Sequence, residues 1–366
     1  MRYRNPNFLQ STTSLVALSL TALLPLALTG CGRSNDTPPA PPPTTPGPAP
    51  QASTSPTTGG DFKVAAVLSG PQSDNGWNAG GAKALAAVKK ALNLPEDDVK
   101  LVDSQTSAAD QEKSLSDFAA KKFNIVFGHG TEYEEMALKM EDKFPDTLFV
   151  ISSGSKVGKH TMPVVLHLED GAYLEGMLAA AMSKTGKLGE VGAEKSAPLE
   201  HVFAAFERGA KAVKPGITVV PAVYTGSWDD ANKAKQSTLA LLNGGADVIM
   251  QDVDSAAQGV FNAVQEFAKK GKPVYALGTN SDQNSAAPDV ILASAPIYTE
   301  KAWVLIAQQA KAGTLTPNDT PFGMKEGVID FVLNPQLESK IPADIKQKLD
   351  ETKKKIADGS LDVTKG

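Results

Sequence analysis

One cysteine, four arginines, four histidines and three tryptophans are spread over 366 residues. A lone cysteine, Cys31, excludes an intrachain disulfide, so stability has to come from a packed core. The only arginines are Arg2, Arg4, Arg33 and Arg208, and 36 basic residues face 41 acidic ones for a net charge of −5. The guanidinium forks that read phosphates and guanines are nearly missing, which excludes a general nucleic-acid binder. The histidines, His129, His160, His167 and His201, never pair at a spacing of three or four, so no metal motif is formed. There is no Gly-x-Ser-x-Gly elbow. The stretch from Gly154 to His160 is one residue short of a phosphate loop and puts His160 where a magnesium-holding Ser or Thr belongs. No cofactor is expected, and the chain does not read as an enzyme.

What is present begins with an export signal over residues 1–30. Arg2 and Arg4 precede an apolar stretch, Leu15 to Leu28, too short to span a bilayer comfortably. It ends in Leu28-Thr29-Gly30-Cys31, which resembles the lipobox of bacterial lipoproteins and makes Cys31 the lipidated N-terminus. Acyl chains there would hold the protein on a membrane with roughly 0.8 kcal/mol per buried methylene. Residues 31–60 form a Pro-rich tether, with nine prolines between Pro38 and Pro56 and nothing to bury. The expected location is the cell membrane, lipid-anchored and facing the periplasm or exterior.

From residue 61 onward, short apolar runs alternate with segments of helical spacing. The first run is Lys63 to Leu68, followed by a polar loop and a helix over Ala82 to Leu92. Others are Lys100–Val102, Asn124–Phe127, Leu148–Ile151, Val164–Leu168, Leu188–Val191, Thr218–Val223, Asp247–Met250, Pro273–Leu277 and Val290–Ala293. These runs are continuous rather than alternating, so they read as parallel strands buried on both faces. The fold class is α/β, and ligand sites are expected in loops at the carboxyl ends of strands.

Two of the three tryptophans, Trp77 and Trp228, sit in polar loops after strands, whereas Trp303 lies among Val304, Leu305 and Ile306 and reads as core. Either the loop tryptophans fold onto their own lobes or both face a cleft and stack on a flat ligand. Asp252 and Asp254 read equally as paired carboxylates or as the polar end of a strand.

The order of several segments resembles the basic membrane lipoprotein (PnrA-like) family of ABC transporter substrate-binding lipoproteins. They are Asp74-Asn75-Gly76-Trp77-Asn78, Asp170 to Ala179, Lys184 to Gly192, Tyr224 to Asp230, Gly245 to Ile249, Ser281-Asp282-Gln283 and Gly327 to Phe331, ahead of a Lys-rich tail helix. The resemblance covers essentially all of 61–366. It implies the type I periplasmic-binding fold: two Rossmann-like lobes with parallel sheets joined by a three-crossing hinge. The N-lobe would comprise 61–167 plus 298–327 and the C-lobe 168–297 plus 328–366. It implies a purine nucleoside or nucleobase bound in the interlobe cleft, closure of the lobes around it, and delivery to the membrane subunits of an importer by a monomeric protein. Carried over by position, Asp74 and Asn78 would hydrogen-bond the ligand and Trp77 and Trp228 would form its stacking faces. His129 and Thr131 would lie near the base, with Asn280 and Asp282 near ribose hydroxyls. Asp252 and Asp254 replace a usually small, Gly-rich segment and Ile297 stands where the family often has lysine, which implies a more acidic site favouring donor groups. The same fold serving a sugar or signalling molecule is the alternative; a nucleoside hydrolase using carboxylates is a third reading.

Overall fold

The computed structural model describes residues 62–74 and 76–365. The signal segment, Cys31 and the Pro-rich stretch lie outside the described residues. No described helix is long and apolar enough to cross a membrane.

Two parallel sheets organise the chain. The first is built from β1 (Val64–Leu68), α1 (Trp77–Leu92), β2 (Val99–Val102), α2 (Ala108–Ala120), β3 (Ile125–His129), α3 (Glu134–Met140), β4 (Leu148–Ser152) and β5 (Thr161–Val164). Its strand order is β2-β1-β3-β4-β5, all parallel. Every residue of β1 and β3 is buried, the expected result of covering both faces. Val64, Ala66, Ile125 and Phe127 meet Leu85 and Val88 of α1 on one face; Ala65, Val67, Val126 and Phe149 meet Leu115 and Phe118 of α2 on the other.

The second sheet collects α4 (Glu169–Met182), β6 (Lys187–Gly192), α5 (Ala197–Val213), β7 (Thr218–Val219), β8 (Val223–Tyr224), α6 (Ala231–Asn243), β9 (Val248–Asp252), α7 (Ala257–Ala268), β10 (Tyr275–Asn280) and β11 (Ile291–Pro296). The chain then forms α8 (Thr299–Lys311), β12 (Val332–Leu333) and α9 (Ala343–Ala357). The strand order is β12-β11-β10-β9-β6-β7, with β8 also on β6. Only β12, among the described strands, runs antiparallel to its neighbour. Helix α8 leaves this sheet and returns to the first lobe, where Trp303 is fully buried and stacks on Phe127 with ring centroids 4.0 Å apart. Bridges Leu166↔Phe322 and Ile297↔Ile329 tie the connecting strands together where the chain passes between lobes.

The strand and helix order agrees with the sequence reading, and three local expectations need correction. The run Val164–Leu168 is not a strand; β5 lies earlier, at Thr161–Val164, on the sheet edge where Pro163 can be accommodated. Thr218–Val223 splits into β7 and β8 around Pro221, which cannot donate to the ladder. Helix α1 starts at Trp77 rather than Ala82, because the carboxylate of Asp74 supplies the missing first-turn partners.

Candidate ligand site

The carboxyl ends of β1, β3 and β4 in one lobe and of β8, β9, β10 and β11 in the other carry the residues singled out in the sequence. Asp74 wraps the start of α1. Its Oδ1 accepts from the amides of Gly76 and Ala79, both at 2.9 Å, and Oδ2 accepts from the amide of Asn78 and its Nδ2, both at 2.8 Å. A carboxylate at a helix N-terminus satisfies otherwise orphaned N–H groups and faces the positive end of the dipole. Asn78 is buried and its Oδ1 accepts from Gly70 N at 3.0 Å, fixing the loop from β1 to α1.

This anchoring presents Trp77 as a fixed plane. Its indole stacks on His129 with centroids 4.0 Å apart and planes 10° from parallel, while Nε1 donates to the His129 carbonyl at 3.2 Å. His129 is the last residue of β3 and fully buried. Its Nε2 lies 2.9 Å from the Trp77 carbonyl, which can only accept, so Nε2 carries the proton. Nδ1 then accepts from the Ser152 hydroxyl at 2.9 Å, and Ser152 Oγ accepts from Trp303 Nε1 at 3.2 Å. Burial lowers the His129 pKa to about 4, so the imidazole is a neutral backing plate for the indole. Ser152 completes the relay although nothing in the sequence around it marks it; it follows four apolar positions of β4 and is legible only through the partners that converge on it.

The opposite wall belongs to the C-lobe. Asp252 ends β9, is buried, and accepts from Asn280 Nδ2 at 3.3 Å. Burial raises its pKa to about 6, with the Asn280 hydrogen bond opposing. Asp252 and Asn280 border a cavity of ≈ 20 Å³ together with Thr279, Ala295 and Ile297, room for about one water. Asp254 opens the turn before α7, and its Oδ1 accepts from the Trp77 amide of the other lobe at 2.8 Å. Burial pushes its pKa up to about 7, the Trp77 N–H pulls it down, and the charges of Asp74 and Asp252 push it up further. Trp228 is 40% exposed. Its backbone carbonyl accepts from Ala256 N at 3.0 Å and Ser255 Oγ at 3.2 Å, which binds its loop to the turn that carries Asp254.

The structure therefore brings Asp74, Trp77, Asn78, His129 and Asp254 into one cluster, ties Trp228 to it through the backbone, and places Asp252 with Asn280. Thr131 and Asp282 are exposed, with Asp282 Oδ1 accepting from Asn284 N at 3.1 Å. Two further acids went unnoticed in the sequence. Glu175 of α4 is fully buried with both carboxylate oxygens unpartnered, and burial followed by the charge of Asp252 holds its pKa well above the usual range. Glu190 of β6 is buried with Oε1 unpartnered, its pKa raised to about 8 by burial and by Glu207. Each is a single acid inside an apolar run, Tyr173-Leu174-Glu175-Gly176-Met177 and Leu188-Gly189-Glu190-Val191, and that interruption was the available signal.

Two open parallel α/β lobes, joined by repeated crossings and meeting at the carboxyl ends of their strands, define a bilobed solute-binding protein. The family profile of ABC transporter substrate-binding protein PnrA-like matches residues 62–362, and the chain belongs to that family. It is 28% identical to a purine-binding protein of Brucella abortus (strain 2308), over 82% of each chain. It is also 29% identical to the transcriptional activator protein med of Bacillus subtilis (strain 168), over 74% of this chain and 81% of the relative. Its fold is similar to that of ABC transporter system solute-binding protein from Aeropyrum pernix K1, with a TM-score of 0.72 and 19% identity over 82% of this chain and 92% of that one. The family is one of ABC transporter substrate-binding proteins, which are extracytoplasmic.

Proposed function

We propose that this substrate-binding protein takes a purine nucleoside or nucleobase between its lobes and hands it to the membrane subunits of an ABC importer while anchored to the membrane through lipidated Cys31. The observation that carries the ligand reading is the indole of Trp77, locked parallel to His129 and pinned by its backbone at the mouth of the cleft. A preorganised aromatic plane flanked by carboxylates and a carboxamide suits a flat ring bearing N–H donors. The name of the Brucella relative supports the same class.

In this reading Trp77 and Trp228 stack on the ring, and Asp252, Asn280, Thr131 and Asp282 supply polar contacts. Asp74, Asn78 and His129 hold the indole in place, since their polar atoms are engaged with the protein. The lobes are taken as 61–167 plus 298–327 and 168–297 plus 328–366. Ligand entry requires them to part, because a cavity of ≈ 20 Å³ beside Asp252 admits no purine. Closure then selects the state with the extra contacts, and no covalent step is needed.

Titration calorimetry with adenosine, guanosine, inosine, adenine and ribose tests this reading. We expect micromolar or tighter binding of a purine, with Trp77→Ala and Trp228→Ala each weakening it by about 1–3 kcal/mol. Tight binding of ribose or another sugar, unmoved by either variant, would overturn it. Separately, Cys31→Ser should release the protein from the membrane fraction.

A further inference from the structure

Helix α1 divides its first amides between two carboxylates from opposite lobes. Asp74, in the loop just before the helix, takes the N–H groups of Gly76, Asn78 and Ala79. The amide of Trp77 lies between them and donates instead to Asp254 Oδ1, 177 residues away in the other lobe, at 2.8 Å. Asp254 is built to reach it. The residue sits at φ 52 at the start of the turn before α7, with its carboxylate reaching across to the Trp77 amide. The turn itself is braced on the Trp228 carbonyl through Ala256 N and Ser255 Oγ. Gly76 makes the approach sterically possible: a Cβ on it would lie 2.0 Å from Asp254 Oδ1, well inside van der Waals contact.

We propose that Asp254 and Gly76 form an interlobe latch, in which the carboxylate seats on the Trp77 amide when the lobes meet and the absent side chain at residue 76 is what lets it seat. The proposal rests on the reading of a receptor that opens and closes, and adds the element that sets the balance between those states. A helix N-terminus offers unpaired amides to a carboxyl oxygen, and the three amides around this one, of Gly76, Asn78 and Ala79, are already held in place by Asp74. The Trp77 amide is thus a preformed socket on one lobe, and Asp254 is the plug on the other.

The test uses the full chain with Cys31→Ser and spin labels at Glu112→Cys on α2 and Gln236→Cys on α6, both exposed, one on each lobe. Distance distributions and adenosine affinity are measured for the wild-type sequence, Gly76→Ala, Asp254→Gly and the double variant; glycine suits the positive φ at 254. Gly76→Ala should lengthen the interlobe distance and weaken affinity up to about tenfold, the scale of a lost hydrogen bond. The clash needs both side chains, so the double variant should behave like Asp254→Gly alone, a non-additivity that a local folding defect at Gly76 would not produce. Distances and affinities unchanged in both single variants, or losses that simply add in the double variant, would overturn the latch. Purine binding with unchanged distances removes the latch and keeps the ligand reading; shifted distances without purine binding do the reverse.

Discussion

At the scale of single residues, the decisive feature is how many polar groups near the cleft are engaged by the protein itself. The proton of His129 is assigned by a carbonyl, and its neutral ring is the support for Trp77. Removing the hydroxyl that holds Nδ1, by Ser152→Ala, leaves both His129 Nδ1 and Trp303 Nε1 without a partner in a buried site. A loss of about 1–3 kcal/mol in urea unfolding is expected. Glu175 and Glu190 are the opposite case, buried acids with unpartnered oxygens. Glu175→Leu should raise stability by about 1–3 kcal/mol at pH 8, since an unpartnered buried carboxyl is exchanged for apolar volume. The Glu190 carboxyl titrates near 4.5 when solvated and at about 8 in the fold, so the folded state holds the extra proton between those values. Its stabilising proton is fully present below pH 4.5 and is lost as pH rises towards 8. Urea midpoints should therefore fall across that window, and Glu190→Gln should flatten the fall.

At the scale of elements, two close approaches decide the geometry. Helices α4 and α5 cross through reciprocal glycines: a Cβ on Gly176 would lie 1.9 Å from the Phe206 carbonyl, and one on Gly209 would lie 1.9 Å from the Tyr173 carbonyl. Backbone cannot yield as a side-chain tip can, so Gly209→Ala should cost about 2–3 kcal/mol by overpacking and show as a lowered unfolding midpoint. The start of α1 is the second. Asp74→Ala removes an acceptor for three amides and one side-chain amide, and a loss of about 1–2 kcal/mol is expected, accompanied by weaker ligand binding as the Trp77 plane loosens. Of the two motifs, one is partly readable in sequence. An Asp two residues before Gly-Trp suggests a capped turn, whereas the pairing of Gly176 with Gly209 emerges only when the helices are packed.

At the scale of the molecule, the proposed closure would make the acids of the C-lobe wall couple ligand binding to protons. Asp254 titrates at about 7 where it meets Trp77, against an ordinary value of 3.8. It faces the negative charges of Asp74 and Asp252, with Glu175 behind Asp252. Closure buries this carboxyl and favours its protonated form, so the closed state is favoured at low pH and weakened as pH rises from about 4 to 7. Ligand affinity measured at pH 5.5 and pH 8 should be higher at the lower pH. Asp254→Asn, which retains an acceptor without the charge, should reduce the difference. The cause is charge placement between lobes, and it disappears if each lobe is considered alone.

Alternating apolar runs and helical segments were enough to establish the α/β layering, because a strand buried on both faces has no freedom to be polar. Of the two loop tryptophans, Trp77 rests its indole on His129, whereas Trp228 is tied to the Asp254 turn through its backbone carbonyl. Pro221 decided where β7 ends and β8 begins, and Pro163 is tolerated because β5 lies at the sheet edge. The partners of the polar side chains were decided by tertiary structure. Asp254 appears in sequence as a polar residue after a strand, and only the meeting of two lobes makes it a partner of Trp77. Glu175 and Glu190 look like ordinary acids until packing removes their water. Local sequence determines which backbone groups pair within an element; desolvation and contacts between residues far apart in the chain are properties of the assembled fold.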